Sequence, residues 1–503
     1  MAEVIQYSHE DSQSTTIIIS KSDAIIHNVP KEIMQEIFIH CLTNDRSANR
    51  RIAPLLLCQV CSAWRRLALS SPKLWDTLSL GRSTYLEDWE VEAAMRTLAN
   101  AKTLWFKASR ERPFSYSLIL HPKATAHSPG SHILPLHSQI RTLDLELKDD
   151  FQLVDYADMQ RGNMPLLESL RISISMGLFV TPLALGPVKK YPSFKAAARL
   201  RKLALSIPTL RFKSAITSFP WSQLTHLAIG KTLTLNCWHT IVRECLQLRE
   251  FIGEFSLLPD NFIFPPEYNN RPMILTHLRN LTLLFSHYGP LQPILEGLEF
   301  PALTALHIGC GDPSPHSSII LGVAEPLENI RTLSQLSELT LRLVDLTTDQ
   351  LIDILLITTN LISLEIDCLI ELDILLQALY VSEGTDTQSA FLPLLQRFSL
   401  TIHDRSVASF TSTQLFKTVQ SRCKPQSTTS GIGSRPVYPI SCLRHISVSV
   451  FDLHDDVLTE VQAVLEPLKA QGLNVHVSNT SSMEWAVLNS FQLFSRWVMW
   501  EHE

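Results

Sequence analysis

One short pattern recurs along this chain and limits its fold more than any other feature: Leu-x-x-Leu-x-Leu. It reads IRTLDLEL from residue 140, LESLRISI from 167, LRKLALSI from 200, LTHLAIG from 224 and LRNLTLLF from 278. It continues as LTALHIG from 303, LSELTLRL from 336, LISLEID from 361, LQRFSLTI from 395 and LRHISVSV from 443. Weaker copies stand at KTLWFKA (102) and LREFIGE (248). The central apolar residues are Leu143, Leu170, Leu203, Leu227, Phe251, Leu281, Leu306, Leu339, Leu364, Phe398 and Ile446. Most steps between them are 24–34 residues, and the last is 48. Alternate apolar residues point to one side of a strand. A single such strand cannot cover its own apolar face, so the units must stack.

That period predicts an α/β protein with a leucine-rich-repeat solenoid, in which a curved parallel sheet has helical or loop returns. Some returns carry helix signals. Thr347 with Gln350 forms a capping-box pattern before Leu351, Ile354 and Leu355. Asn236 suits an N-cap ahead of Ile241 and Cys245. The turn position that a tidy repeat fills with Asn or Cys holds Thr232, Gly311, Val344 and Leu369 in four units. An irregular horseshoe is therefore expected. Insertions are expected at 121–135, 256–275, 309–318 and 421–439, where Pro, Gly, Ser and Asn cluster. Residues beside the leucines would face a ligand: Thr142, Asp144, Glu146, Arg171, Ser173, His226, Thr282, His307, Thr340, Arg342, Glu365 and Asp367. Their mixed signs imply no single charged ligand.

The first 80 residues read differently. Residues 1–27 are polar and expected to be flexible. VPKEIMQEIFIHCL (29–42) reads as a helix, with Pro30 in its first turn and Ile33, Ile37, Phe38 and Cys41 on one face. After a basic loop, Leu56, Val60, Trp64 and Leu67 repeat at helical spacing from Pro54 until Pro72. So few short helices cannot enclose a core alone.

This stretch resembles the F-box, whose pattern is a hydrophobic-Pro start, Glu-Ile, Ile-Phe, then V-C-x-x-W-R-x-x-A, Pro and L-W. The matching residues are Val29, Pro30, Glu32, Ile33, Ile37, Phe38, Val60, Cys61, Trp64, Arg65, Ala68, Pro72, Leu74 and Trp75. The match covers roughly residues 28–76, in a form like the F-box-like proteins of fungi. The resemblance implies a substrate-recognition subunit of an SCF-type ubiquitin ligase. Its F-box would dock on a Skp-type adaptor, and through it a cullin, while the repeats hold a protein substrate. It also implies that Val29, Pro30, Ile33, Ile37, Leu56 and Val60 face the adaptor. Phe38, Cys61, Trp64, Leu67, Leu74 and Trp75 would form the motif's core. The organisation expected is a flexible start (1–27), an F-box-like head (28–80), the repeats (81–480) and a capping segment (481–503). The alternative is a repeat scaffold with no ligase role, its head serving only as an end cap.

The remaining features mostly exclude. Residues 44–73 hold six Lys or Arg against Asp45 alone, although the whole chain carries a net charge of −6. A local basic patch suits an acidic partner, while the acidic total speaks against a nucleic-acid binder. Nine Cys in a 503-residue chain without regular spacing suggest reduced thiols, hence a cytoplasmic or nuclear protein. No secretory signal is legible, and no run reaches the roughly 18 apolar residues of a membrane span. Cys58-x-x-Cys61 lies in a helical apolar pattern, which disfavours zinc. No phosphate loop, dinucleotide fingerprint, zinc-protease or serine-hydrolase motif occurs. No catalytic residue, metal or cofactor is therefore assigned.

Overall fold

The computed structural model describes residues 29–42, 51–80, 100, 103–105, 107–109, 112–119, 138–147, 164–174, 194–207, 217–255, 272–285, 291–310, 327, 333–342, 344, 346–382, 390–403, 409–423, 441–451 and 455–480. The chain begins with α1 (Lys31–His40), α2 (Leu57–Val60), α3 (Ser62–Leu69) and a 3-10 turn at Pro72–Trp75. It then runs through β1 (Thr77–Leu80), β2 (Phe114–Ile119), β3 (Ile140–Leu147), β4 (Ser169–Ile174), β5 (Lys202–Ser206) and β6 (His226–Leu233). Next come α4 (Leu235–Glu244), β7 (Glu250–Phe255), β8 (Met273–Ile274), β9 (Asn280–Phe285), α5 (Gln292–Leu295), β10 (Leu298–Glu299), β11 (Ala305–Cys310) and β12 (Glu338–Arg342). The chain continues with α6 (Thr348–Ile357), β13 (Ser363–Asp367), α7 (Leu372–Leu379), β14 (Arg397–Ile402), α8 (Ser412–Cys423), β15 (His445–Phe451), α9 (Asp455–Lys469) and β16 (Asn474–Thr480).

Fourteen strands form one open sheet, parallel throughout and ordered as they occur in the chain. β8 and β10 make a separate two-stranded pair. The repeat leucines are directly paired from strand to strand. One row runs Leu78, Tyr116, Leu143, Leu170, Leu203, Leu227, Phe251, Leu281, Leu306, Leu339, Leu364, Phe398, Ile446 and Val475. Every member up to Ile446 is buried, and Val475 on the last strand is half-buried. Burying each such side chain contributes about 1.5–3 kcal/mol. A one-residue slip would turn the whole set to the other face, so the pattern fixes the register.

The helical returns lie on the leucine side. Leu351, Ile354 and Leu355 of α6 join the same core as the strand leucines. The capping box forms as expected, with Thr347 and Gln350 each bonding the other's backbone N–H. α4 differs from expectation. Its N-cap is Thr234, whose hydroxyl accepts from the Cys237 N–H, and Asn236 falls inside the first turn. Thr234 wins because its extended backbone aims the hydroxyl back at that N–H.

Four further expectations need correction. KTLWFKA is not a strand: residues 103–105 and 107–109 are helical. The helix expected from Pro54 to Pro72 breaks at Cys61, where the backbone is extended at φ −157° and ψ 171°. The turn position of the β13 coil is taken by Cys368, not by Leu369. Leu369 is exposed, while Cys368 is buried with its thiol 3.5 Å from the Leu341 carbonyl. Three expected insertions overlap regular structure at one end, at β8, at the end of β11 and at the end of α8. Residues 1–27, 121–135 and 481–503, and most of the loop 43–53, lie outside the described residues.

The second face of the sheet varies along its length. β12, and β3 from Thr142 onward, alternate between half-buried and buried positions, as a sheet with one covered face must. β5, β7 and β9 are buried at three or more consecutive positions. There, Ala204, Ala228 and Ile252 pair in register and form a small apolar cluster separate from the main core.

Candidate functional site

Two surfaces hold the residues singled out from the sequence: the helical head and the face of the sheet opposite the leucines. In the head, α1 buries Met34 and Phe38, one turn apart. Ile33 and Ile37, also one turn apart, are 53% and 45% exposed. The same division recurs beside α2. Leu57 is buried, while Leu56 and Val60 are 44% and 55% exposed. A helix this short has one stripe for its own core, and these four aliphatic side chains fall outside it. Pro30 is exposed as well. Val29, expected to face a partner, is half-buried and packs against the core. Arg51, Arg65, Arg66 and Lys73 are exposed, so cations accompany the apolar side chains. The Arg65 guanidinium is held in place by the Cys58 carbonyl at 2.7 Å.

The two head tryptophans have different partners. Trp64 is half-buried, with its ring 4.9 Å from that of Phe38. Trp75 is wholly buried and meets Trp105 edge-on at 4.7 Å. Its indole N–H donates to the Ala68 carbonyl, and that of Trp105 donates to the Thr77 carbonyl on β1, each at 2.9 Å. Trp105 was not anticipated from sequence, although its place in an apolar run was visible. Leu74 is buried too. Cys61 and Leu67, expected in the core, are half-buried. Cys61 instead ends α2 and starts α3, its thiol accepting from the Trp64 N–H at 3.4 Å. A residue in extended conformation between two helices is placed to cap, not to fill a core. The segment 28–80 thus ends inside the sheet, since β1 pairs along its length with β2.

On the other face of the sheet, charges pair across strands. Arg171 and Asp144 are 3.2 Å apart, with the Ser117 hydroxyl also donating to Asp144. Burial raises the Asp144 carboxyl, and Arg171 works against that rise. Arg342 Nε donates to Glu365 at 2.8 Å, and Thr340 links Glu365 to His307. Thr282 and Asp367, expected to be exposed, are buried. Asp367 bonds His403, itself buried, across the β13–β14 boundary. Thr282 continues the covered strip that begins at Ala204. Thr142, Glu146, Ser173 and His226 are half-buried. Burial, aided by Lys202 and Arg249, pushes the His226 imidazole down to about 4.

Among the described residues, no group of three or more His, Cys, Asp or Glu is arranged to hold a metal ion. No helix among them is long and apolar enough to cross a membrane. The chain matches no protein-family model, and no curated protein matches it in sequence.

Proposed function

We propose that this chain is a substrate-recognition subunit of an SCF-type ubiquitin ligase, with residues 28–76 docking as an F-box on a Skp-type adaptor and the repeats binding a protein substrate. The observation that carries this reading is the exposed quartet Ile33, Ile37, Leu56 and Val60, set on helices whose other faces are buried. Four large aliphatic side chains at 44–55% exposure suit a partner that covers them. The exposed cations Arg51, Arg65, Arg66 and Lys73 suit an acidic partner and would speed its encounter. The open parallel sheet supplies a long second surface, physically separate from the quartet.

The test is co-expression with a Skp-type adaptor followed by size-exclusion chromatography. A 1:1 complex is expected for the wild type. It should be lost when Pro30→Ala and Ile37→Asp are combined, with the circular dichroism spectrum unchanged. Absence of co-elution at micromolar concentration overturns the reading.

A second reading, a repeat scaffold whose head is only an end cap, draws on the tight contact of Trp75 in the head with Trp105, whose indole N–H in turn bonds the Thr77 carbonyl on β1. Removing residues 1–80 separates the two. It deletes the whole head together with β1 and so removes the Trp75–Trp105 contact. A recogniser keeps a folded repeat body, whereas a scaffold that needs its cap aggregates.

A further inference from the structure

α8 ends at Cys423, and the chain returns to the sheet at Cys442, just before β15. The two cysteines lie on neighbouring stretches of backbone. The Leu443 N–H donates to the Arg422 carbonyl at 2.9 Å, so each cysteine is one residue outward from a direct backbone bond. That bond keeps the two Cα atoms within about 8 Å of each other. A disulfide takes a Cα separation of about 4.4–6.8 Å.

The framework around the pair is fixed. The Arg422 guanidinium is buried and donates to the carbonyls of Leu379, Leu392 and Phe391. The Ser441 N–H donates to the Pro393 carbonyl at 2.8 Å, and the Arg444 N–H to the Gln396 carbonyl at 2.8 Å. Residues flanking both cysteines are thus tied to the preceding coil, and neither thiol can swing away by backbone drift. Both thiols are free and half-buried, which leaves them open to a small oxidant.

We propose that Cys423 and Cys442 form a reversible redox pair, closed to a disulfide by hydrogen peroxide and reopened by a dithiol reductant. In the first step the Cys442 thiolate displaces hydroxide from peroxide and becomes a sulfenic acid. The Cys423 thiolate then attacks that sulfur, and hydroxide leaves. In sum, two thiols and one peroxide give one disulfide and two waters. Burial and the charge of neighbouring Cys442 push the Cys423 thiol up to about 11, which suits it to the second, resolving position. Its attack is intramolecular, and proximity offsets a small thiolate fraction. The closed bond staples the end of α8 to the start of β15 and encloses residues 424–441 in a covalent loop. A disulfide that cycles in this way is compatible with a reducing compartment.

The test uses the full-length protein. It is treated with hydrogen peroxide, alkylated, digested without reduction and read by mass spectrometry. One peptide pair joined through Cys423 and Cys442 is expected, lighter by two hydrogens than the separate peptides and absent after reduction. Closure should quicken by up to about 100-fold between pH 7 and pH 9, as the Cys423 thiolate fraction grows. The thermal midpoint of the oxidised protein should lie a few degrees above that of the reduced protein, and Cys442→Ser should abolish the difference. The proposal is overturned if both thiols alkylate as readily after peroxide as before, or if either is found joined mainly to another cysteine. Footprinting of the wild type decides the matter even where a variant folds poorly.

Discussion

The row of paired leucines is interrupted in one telling way. Phe251 stands where most coils place leucine, and Gly253 stands where the next inward residue belongs. A Cβ added at Gly253 would sit 2.5 Å from Cε1 and Cζ of Phe251 and 3.1 Å from Cε2 of Phe255. The Phe251 ring therefore occupies the space a second inward side chain would need. It cannot retreat easily, because Trp238 lies 4.4 Å away on another side. Gly253→Ala should then destabilise by about 1–3 kcal/mol, the usual range for overpacking a tight core. Phe251→Leu alone should cost about 1–2 kcal/mol, through a partial cavity and the lost ring pair with Trp238. Combined, the two changes restore the ordinary repeat. The alanine then loses the 2.5 Å clash and meets only the Phe255 ring edge at 3.1 Å, which a shift of a few tenths of an ångström relieves, and it gains the roughly 0.5–1 kcal/mol by which alanine exceeds glycine in a strand. The double mutant should be no less stable than Phe251→Leu, giving a favourable coupling of about 1.5–3 kcal/mol. Urea titration followed by tryptophan fluorescence and by circular dichroism, on all four proteins, measures it. Two probes are needed because long repeat arrays need not unfold in one step. Simple additivity of the two single changes would falsify the exchange of ring for side chain.

Four other outcomes follow from the same geometry. Arg422→Met removes the side-chain donor to the Leu379, Phe391 and Leu392 carbonyls, of which Leu392 keeps the Leu395 N–H, and should cost about 2–4 kcal/mol in chemical denaturation. Thr347→Ala removes one half of the capping box of α6 and should cost about 0.5–2 kcal/mol, measurable as a lower urea midpoint. Trp75→Ala empties a wholly buried site between head and sheet and should cost about 3–5 kcal/mol, with head and body then unfolding separately in calorimetry. The imidazoles of His226 and His239 are both pushed below the usual range by burial, so the unfolded chain takes up protons first as pH falls. Stability should hold above about pH 6.5 and decline toward pH 4, and His226→Gln should flatten part of that decline in thermal melts.

How far the sequence could be read depended on whether a residue's neighbours lie along the chain or across it. The strand ladder was legible because a period of two within each strand and a return of 24–34 residues are both chain properties. β1, β2 and β16 escaped notice for the same reason. TLSL, FSYSLI and NVHVSNT lack the leading leucine of the pattern, and only the pairing of Leu78, Tyr116 and Val475 with their neighbours makes them rungs. The break at Cys61 was hidden because apolar spacing continues through it, while the extended backbone that makes it a cap leaves no trace in spacing. In the head, the division between Phe38 and Ile37 could be drawn from resemblance alone. The partner of Trp75 could not, since Trp105 lies 30 residues on and in a segment that imitates a strand.

The face of the sheet opposite the leucines bears on what the repeats can recognise. Its charged residues are largely paired within the chain: Arg171 with Asp144, Arg342 with Glu365 and Arg397 with Glu338, while Asp367 is hydrogen-bonded to His403. Each pair bridges strands separately anchored by their leucines, so each side chain is held by its partner as well as by its rung. A ligand that competed for one member would leave the other uncompensated, and that loss offsets most of what the new ion pair supplies. A highly charged ligand is therefore a poor match for this surface. Hydroxyls and amides from an extended segment can instead bond Ser399, Ser447, Ser449 and Ser478, which line β14 to β16 with His476 paired beside Ser447. Under the proposed function, replacing Ser447 and Ser449 with lysine should weaken substrate capture without altering adaptor binding, because the head precedes the opposite edge strand of the same sheet. Pull-down of substrate and of adaptor by the same variant measures both at once. Equal loss of the two would place substrate on the head and remove the repeats from recognition altogether.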